Sequence, residues 1–388
     1  MKRLAIITTH PIQYNAPLFA LLASRGKLQI KVFYTWGKSV LEKKYDPGFG
    51  KNIDWDIPLL DGYEYCFVEN IAIAPGSHHY KGINNPTLLK EVQEWGANAV
   101  LVYGWAFKSH LAVIRFFYKK IPVFFRGDST LLRKQPGIKT VLRKLFLKWV
   151  YQHVDYAFYV GSENKLYYQA FGLKQNQLIY APHAVDNNRF ADTNGKHDIL
   201  AKVWRKKLGI KPDELTILYA GKLEQIKEPE FIIKLSEKLA DLPVRFVIAG
   251  NGPLETTLKN LAKDDKKILF IDFQNQLNMP VVYRLGDIFI LTSKSETWGL
   301  SINEAMACGR GLLVRDTCGC ANDLVTNGIN GYIFNTVNMD GLFEIIVSLI
   351  QQKVDVKKMG NESLKKIKDF SFEHIAYAIE ISVEKTVC

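Results

Sequence analysis

Short runs of consecutive apolar residues, each closed by glycine or a polar turn, recur along the chain. Leu4-Ala-Ile-Ile-Thr-Thr9, Ile121-Pro-Val-Phe-Phe125, Ile217-Leu-Tyr-Ala220, Val244-Arg-Phe-Val-Ile-Ala249, Ile268-Leu-Phe-Ile-Asp272 and Asp287-Ile-Phe-Ile-Leu-Thr292 are of this kind. A run without polar alternation is how a strand reads when helices cover both faces of a parallel sheet. Helix-favouring stretches lie between them. One follows Pro229, where a missing N–H costs nothing in a first turn, and another spans Leu300 to Cys308.

Strand, turn and helix in succession predict an α/β chain with Rossmann-like parallel sheets. With 388 residues, 47% of them hydrophobic, the chain can bury two such cores. The expected division is a first domain over 1–188, a polar linker from Asn187 to Asp198, and a second domain over 199–370. Phe372, Ile375, Tyr377 and Ile381 fall at helical spacing near the end.

The chemistry concentrates at turns. After the strand ending at Thr292, Glu296 and Glu304 stand eight positions apart with Gly299 between them. Amides at Gly299, Leu300 and Ser301 would open a helix and form a ready diphosphate site. Glu304, one turn inside, can accept from vicinal hydroxyls such as those of ribose, while Glu296 stays in the loop, nearer a sugar. Solvated helix-end charges are the plainer reading of that pair. Upstream, Gly221-Lys222 and Lys227 surround another strand-to-helix turn, and lysines so spaced can reach one pyrophosphate. Gly250-Asn251-Gly252-Pro253 forms a third glycine turn.

Together with Asn330-Gly331-Tyr332, these residues resemble family-4 retaining glycosyltransferases of the GT-B fold, most specifically between residues 215 and 335. The resemblance implies two Rossmann-like domains facing each other across a cleft, with the segment 371–388 packing back on the first. It assigns the donor sugar to Glu296, ribose to Glu304 and the diphosphate to Lys222 and Lys227, although the first basic position is more often Arg. Gly221, Gly250, Asn251, Phe273, Gln274, Thr297, Trp298, Gly299, Leu300 and Ser301 complete the expected donor site. Transfer is expected to need neither metal nor cofactor, with a UDP- or GDP-linked sugar as donor. Pro182-His183-Ala-Val185-Asp186 matches the family's interdomain turn. His10-Pro-Ile-Gln-Tyr14 and Asp56-Ile-Pro-Leu-Leu-Asp-Gly-Tyr63 are similar to a bacterial subgroup. After the strand ending at Phe125 the family often places a sugar-contacting histidine; here Arg126-Gly-Asp128 follows. Asp128 or His10 would take that contact, unless His10 is a plain loop histidine and Asp128 pairs with Arg126. The acceptor is expected at the loops Tyr34–Asp56, Ile73–Asn85 and Gly104–His110.

A net charge of +12 is unevenly spread, with six basic and no acidic residues between Asp128 and Asp155: Arg133, Lys134, Lys139, Arg143, Lys144 and Lys148. In a helix over 138–151, Ile138, Val141, Leu142, Leu145 and Trp149 form a stripe expected to face the core. Phe146, Leu147 and Val150 lie on another side among basic residues, suiting an anionic membrane. An ordinary solvated helix or a groove for an anionic acceptor are the other readings, and no nucleic-acid module accompanies the charge. The start lacks a signal peptide's pattern and no apolar run approaches bilayer length, so a cytoplasmic protein, peripheral on the inner face of the plasma membrane, is expected. Cys66, Cys308, Cys318, Cys320 and Cys388 are few and odd in number, which fits a reducing compartment, and neither they nor His78-His79 have zinc spacing.

The expected function is transfer of one sugar to a lipid-linked or growing surface glycan. A nucleotide-sugar 2-epimerase of the same fold and a non-catalytic membrane-bound partner are the alternatives.

Overall fold

The computed structural model describes residues 1–38, 44–46, 48–132, 138–351 and 355–387. The chain divides into two units: Met1–Lys43, Pro58–His183 and Phe372–Cys388 form the first, Lys44–Ile57 and Ala184–Ser371 the second. In chain order, β1 (Lys2–Thr8) and β2 (Leu28–Tyr34) are followed by a hairpin, β3 (Lys44–Asp46) and β4 (Lys51–Ile53). Then come β5 (Glu64–Phe67), β6 (Ala99–Tyr103), β7 (Val123–Arg126), β8 (Tyr156–Tyr159) and β9 (Leu178–Tyr180). The first unit's sheet has the order β5-β2-β1-β6-β7-β8-β9, with every pairing parallel. The second unit continues with β10 (Leu215–Ala220), β11 (Val244–Ala249), β12 (Ile268–Ile271), β13 (Ile288–Leu291), β14 (Gly311–Arg315) and β15 (Gly331–Phe334). They pair in parallel in the order β12-β11-β10-β13-β14-β15.

The apolar runs become central strands because helices cover both faces. Ile6 and Ile7, Phe246 to Ile248 and Ile288 to Ile290 are fully buried. Val100, Val102 and Phe125 pack against Ile114, Phe117 and Tyr168 in one core. Ile217, Phe246 and Ile248 pack against Phe231, Leu235 and Ile346 in the other. In each sheet the chain order reverses once, at β1/β6 and at β10/β13. Loops leaving the carboxyl ends of the strands there diverge, and α/β proteins bind ligands in the crevice this creates.

Several boundaries differ from expectation. Residues 44–57, inside the expected first domain, group with the second unit, as do residues 184–198. The stretch expected as a linker is packed: Asp186 caps a short helix, Asn187–Phe190, and Phe190 is buried, with its carbonyl accepting from Arg284 at 2.9 Å. The terminal helix, Phe372–Thr386, belongs to the first unit, where the Arg25 guanidinium donates to both oxygens of buried Glu380 at 2.7 and 2.8 Å.

The basic helix, Ile138–Tyr151, turns the other way round from expectation. Leu147, Val150 and Tyr151 are buried, whereas Val141, Leu142 and Leu145 are 59%, 63% and 61% exposed. The buried stripe runs on through Val154 at helical spacing, and Tyr151 meets the rings of Phe125 and Tyr168 at 5.5 and 5.6 Å, which fixes the rotation. Arg133 and Lys134, and the side chains of Ile138 and Lys139, lie outside the described residues.

Candidate functional site

The carboxyl edge of the second sheet gathers most of the expected site. Gly221 and Lys222 follow β10, Gly250 and Asn251 follow β11, Phe273 and Gln274 follow β12, and the loop from Thr292 to Gly299 follows β13. The reversal between β10 and β13 therefore puts the lysine turn beside the glutamate loop.

Lys227 and Glu296 meet there. The ammonium donates to Glu296 Oε2, which also accepts from Ser293 Oγ at 3.3 Å. Their loops are tied by Lys294 N to Ile226 O at 2.9 Å and by Thr292 Oγ1 to Lys227 O at 2.7 Å. On its other side the glutamate loop is laced to the turn after β14, with Gly319 N donating to Glu296 O at 3.0 Å and Cys320 N to Trp298 O at 3.1 Å. Glu228, next to Lys227, holds φ at +51°, a left-handed conformation that costs a non-glycine residue about 1 kcal/mol or more. Arg315 anchors it by pairing with its carboxylate while donating to Thr292 O at 3.0 Å. Neither Glu228 nor Arg315 is singled out by spacing in the sequence.

Gly299 has φ +106°, and a Cβ there would lie 2.8 Å from Leu291 Cδ2, so only glycine starts the helix Leu300–Ala307 at this point. Leu300 and Ser301 open that helix, where N–H groups have no intrahelical acceptor. Thr297 is exposed beside them. Trp298 is buried and donates through Nε1 to Asn303 Oδ1 at 2.8 Å, a bracing position rather than a face offered to a ligand. Glu304 is 3% exposed and accepts from the Tyr283 hydroxyl at 2.6 Å.

Lys222 lies with its ammonium 4.9 Å from the centre of the Phe49 ring, and its carbonyl accepts from Tyr219 at 2.8 Å. Asn251 Oδ1 accepts from Phe273 N at 2.7 Å, and its Nδ2 donates to Glu255 at 2.7 Å and Asp272 at 3.3 Å. Lys259 and this amide hold Glu255 below the ordinary carboxylate range. Gln274 donates to the Asp272 carbonyl at 3.1 Å. Cys308, Cys318 and Cys320 are buried, and burial raises their thiols, that of Cys308 to about 12. Among the described residues no three His, Cys, Asp or Glu side chains are grouped to hold a metal ion.

The remaining candidates lie in the first unit. His10, in the loop after β1, has Nδ1 2.8 Å from Thr9 Oγ1 and its ring edge-on to Trp36 at 5.0 Å. Asp128 follows β7, and its carboxylate lies 3.9 Å from Nε2 of His183. Arg126 is buried and directs its fork to the carbonyls of Ala181 and Pro182 at 2.8 and 3.0 Å, which holds the backbone leading into His183. Burial lowers the pKa of His183 while Asp128 opposes that shift. His183 is the imidazole that sequence reasoning did not pair with Asp128, because the two are remote in sequence. Deeper in, His110 bridges Thr35 Oγ1 at 2.8 Å and the carbonyls of Tyr103 and Gly104 at 3.0 Å, and burial pushes its pKa down to about 4.

Residues 201–366 match the family described as Glycosyl transferases group 1. D-inositol 3-phosphate glycosyltransferase of Rhodococcus erythropolis is 25% identical over 237 residues, covering 58% of this chain and 52% of that protein. UDP-Gal:alpha-D-GlcNAc-diphosphoundecaprenol alpha-1,3-galactosyltransferase of Escherichia coli is 28% identical over 186 residues, 46% of each. The chain thus spans about half the length of these relatives. Among solved structures, Anabaena HepE in complex with UDP superimposes with a TM-score of 0.73 at 16% identity, over 99% of this chain and 100% of that one. WaaG, a glycosyltransferase involved in lipopolysaccharide biosynthesis, gives 0.63 at 13% identity over 99% of both chains. Two Rossmann-like units of seven and six parallel strands, with these likenesses, make the architecture that of GT-B glycosyltransferases.

Proposed function

We propose that this protein is a retaining glycosyltransferase that moves a sugar from a UDP- or GDP-linked donor to a hydroxyl of a lipid-linked or growing surface glycan. One observation carries the reading: where the second sheet reverses its strand order, the lysine turn after β10 meets the loop after β13 through the Lys227–Glu296 pair, and that loop runs into a glycine-started helix. The names of relatives support the substrate classes, since one uses UDP-galactose and a diphosphoundecaprenol acceptor and one structural neighbour holds UDP and glucose.

In this reading the donor diphosphate lies against Lys222, Lys227 and the amides of Leu300 and Ser301. Arrival of the diphosphate gives Lys227 a new partner and releases Glu296 to accept from sugar hydroxyls. The bond from the sugar's anomeric carbon to the diphosphate oxygen breaks, and a bond to the acceptor oxygen forms on the same face. The acceptor's proton passes to the departing phosphate oxygen. Charge develops on the leaving group, so fixed cations and amides supply most of the rate.

The reading includes a peripheral place on the inner face of the plasma membrane. Val141, Leu142 and Leu145 are exposed on the same helix as exposed Arg143, Lys144 and Lys148, an apolar and basic surface that suits anionic lipid at about 1 kcal/mol per cation. The protein should cosediment with phosphatidylglycerol vesicles, and reversal of those three charges should abolish this. Equal binding to neutral vesicles, or none to either, would contradict it.

The activity test offers UDP- and GDP-sugars with a lipid-linked sugar acceptor and follows the product's anomeric configuration by NMR. Retention of the donor's configuration is expected, with loss of product in Glu296→Gln. Inversion would overturn the retaining mechanism, and neither transfer nor donor hydrolysis with any donor would overturn the enzyme.

A further inference from the structure

The hairpin of β3 and β4 lies between two strands of the first unit in sequence, yet residues 44–57 group with the second unit. The segment from Gly48 to Asp56 runs along the carboxyl edge of the second sheet. Asn275 Nδ2 donates to Asp54 O at 2.6 Å, and Leu277 N reaches both oxygens of Asp56 at 3.2 Å. Between these anchors and the hairpin turn, the segment brings two side chains to residues already placed in the donor site.

Phe49 meets Phe273 edge to face at 4.9 Å, and the Lys222 ammonium lies 4.9 Å from the centre of the Phe49 ring. Lys51 donates to Asn251 Oδ1 at 2.7 Å and stands 5.9 Å from the centre of the Phe273 ring. The seam is built for close approach on both sides. A Cβ on Gly252 would lie 2.9 Å from Gly48 O, and a Cβ on Gly48 would lie 2.6 Å from Lys222 Cδ. The glycine turn after β11 therefore receives a length of this chain, and a side chain on Gly252 would strike both the Leu223 backbone and the Gly48 carbonyl.

The result is a cluster of one chemical kind, two phenyl rings flanked by two ammonium groups, at the ends of β10, β11 and β12. Rings offer faces and edges to a planar base, and ammonium groups suit phosphate oxygens. Asn251 fixes the arrangement, because its amide is shared among Lys51, Phe273, Glu255 and Asp272 and holds Lys51 beside the rings. We propose that this segment is a wall of the nucleotide site, with Phe49 packing on the base and Lys51 acting as a third cation toward the diphosphate. The inference rests on the donor reading given above and adds to it two residues from the first half of the chain.

The test is calorimetric titration of the full chain with UDP and GDP, and with the matching nucleosides, for wild type, Phe49→Ala and Lys51→Ala. Melting temperatures without ligand serve as the folding control, and Phe49→Leu is a milder second variant. For the nucleotide that wild type binds, each alanine variant should weaken binding about tenfold. Phe49→Ala should weaken nucleoside and diphosphate alike, and Lys51→Ala the diphosphate alone. Unchanged affinity in folded variants would overturn the wall. Tighter binding in Phe49→Ala would also overturn it, making the segment a plug over Lys222. If wild type binds no nucleotide, the donor reading itself fails and this inference falls with it.

Discussion

The two sheets share one topology but are furnished differently at their carboxyl edges. In the first unit one cluster of buried polar groups near that edge is neutral, its members hydrogen-bonded to nearby side chains and carbonyls. His110 joins Thr35 to Tyr103 and Gly104, and the Asn85 side chain donates to the carbonyls of Thr35 and Glu69 at 2.9 and 2.8 Å. Such a network cannot exchange partners without leaving a buried group unsatisfied, so it frames the loops it joins. In the second unit the edge is charged and part-exposed. Lys227 and Glu296 retain 24% and 19% of their side-chain exposure. Partly wet ion pairs are worth little by themselves, so a ligand can replace one member at small cost. A buried neutral network suits a frame, and an open charged pair suits a site.

Charge removal at the second edge should have the largest effect. Lys227→Ala and Lys222→Ala should each lower turnover by about 100-fold or more while circular dichroism and melting temperature stay near wild type. Near-normal turnover in either folded variant would take that lysine out of the site. The first edge should instead respond through stability. Burial holds the pKa of folded His110 at about 4, below its ordinary 6.5, so the unfolded chain takes up the proton first as pH falls. The stabilising contribution is therefore complete above pH 6.5 and is lost as pH drops toward 4. At pH 5 it is about 2 kcal/mol smaller than at pH 7. Urea midpoints of wild type and His110→Gln at the two pH values should show that part of the pH slope vanishing in the variant. Equal slopes would contradict a neutral buried imidazole. A smaller effect should follow from Arg25→Ala, which strands the buried Glu380 carboxylate and should cost about 1–3 kcal/mol, seen as a lower melting temperature with turnover retained.

How far the sequence could be read depended on locality. Gly221 to Lys227 and Glu296 to Glu304 are contiguous segments, so the succession of strand, turn and helix suffices to put them at strand ends. Phe49, Lys51 and Tyr283 reach the same edge from elsewhere in the chain, and no spacing rule joins them to it. His183 meets Asp128 only because β7 and β9 flank β8 in the sheet. The basic helix marks another limit. A projection at 100° per residue offers two apolar faces, and the choice is made by the rings of Phe125 and Tyr168, which are tertiary neighbours. The expected linker failed likewise, since Asn187 and Arg189 hydrogen-bond to Ile367, Phe370 and Gln276 of the second unit.

The central claim is that the second edge binds a nucleoside diphosphate through the groups named. Its most direct test is calorimetric titration of UDP and of GDP into wild type and Glu304→Gln, a change that keeps an acceptor for Tyr283 but removes the charge offered to ribose. The account predicts saturable one-to-one binding of one of the two nucleotides, about tenfold weaker in the variant. No binding of either by folded wild type, or equal affinity in the variant, would contradict it.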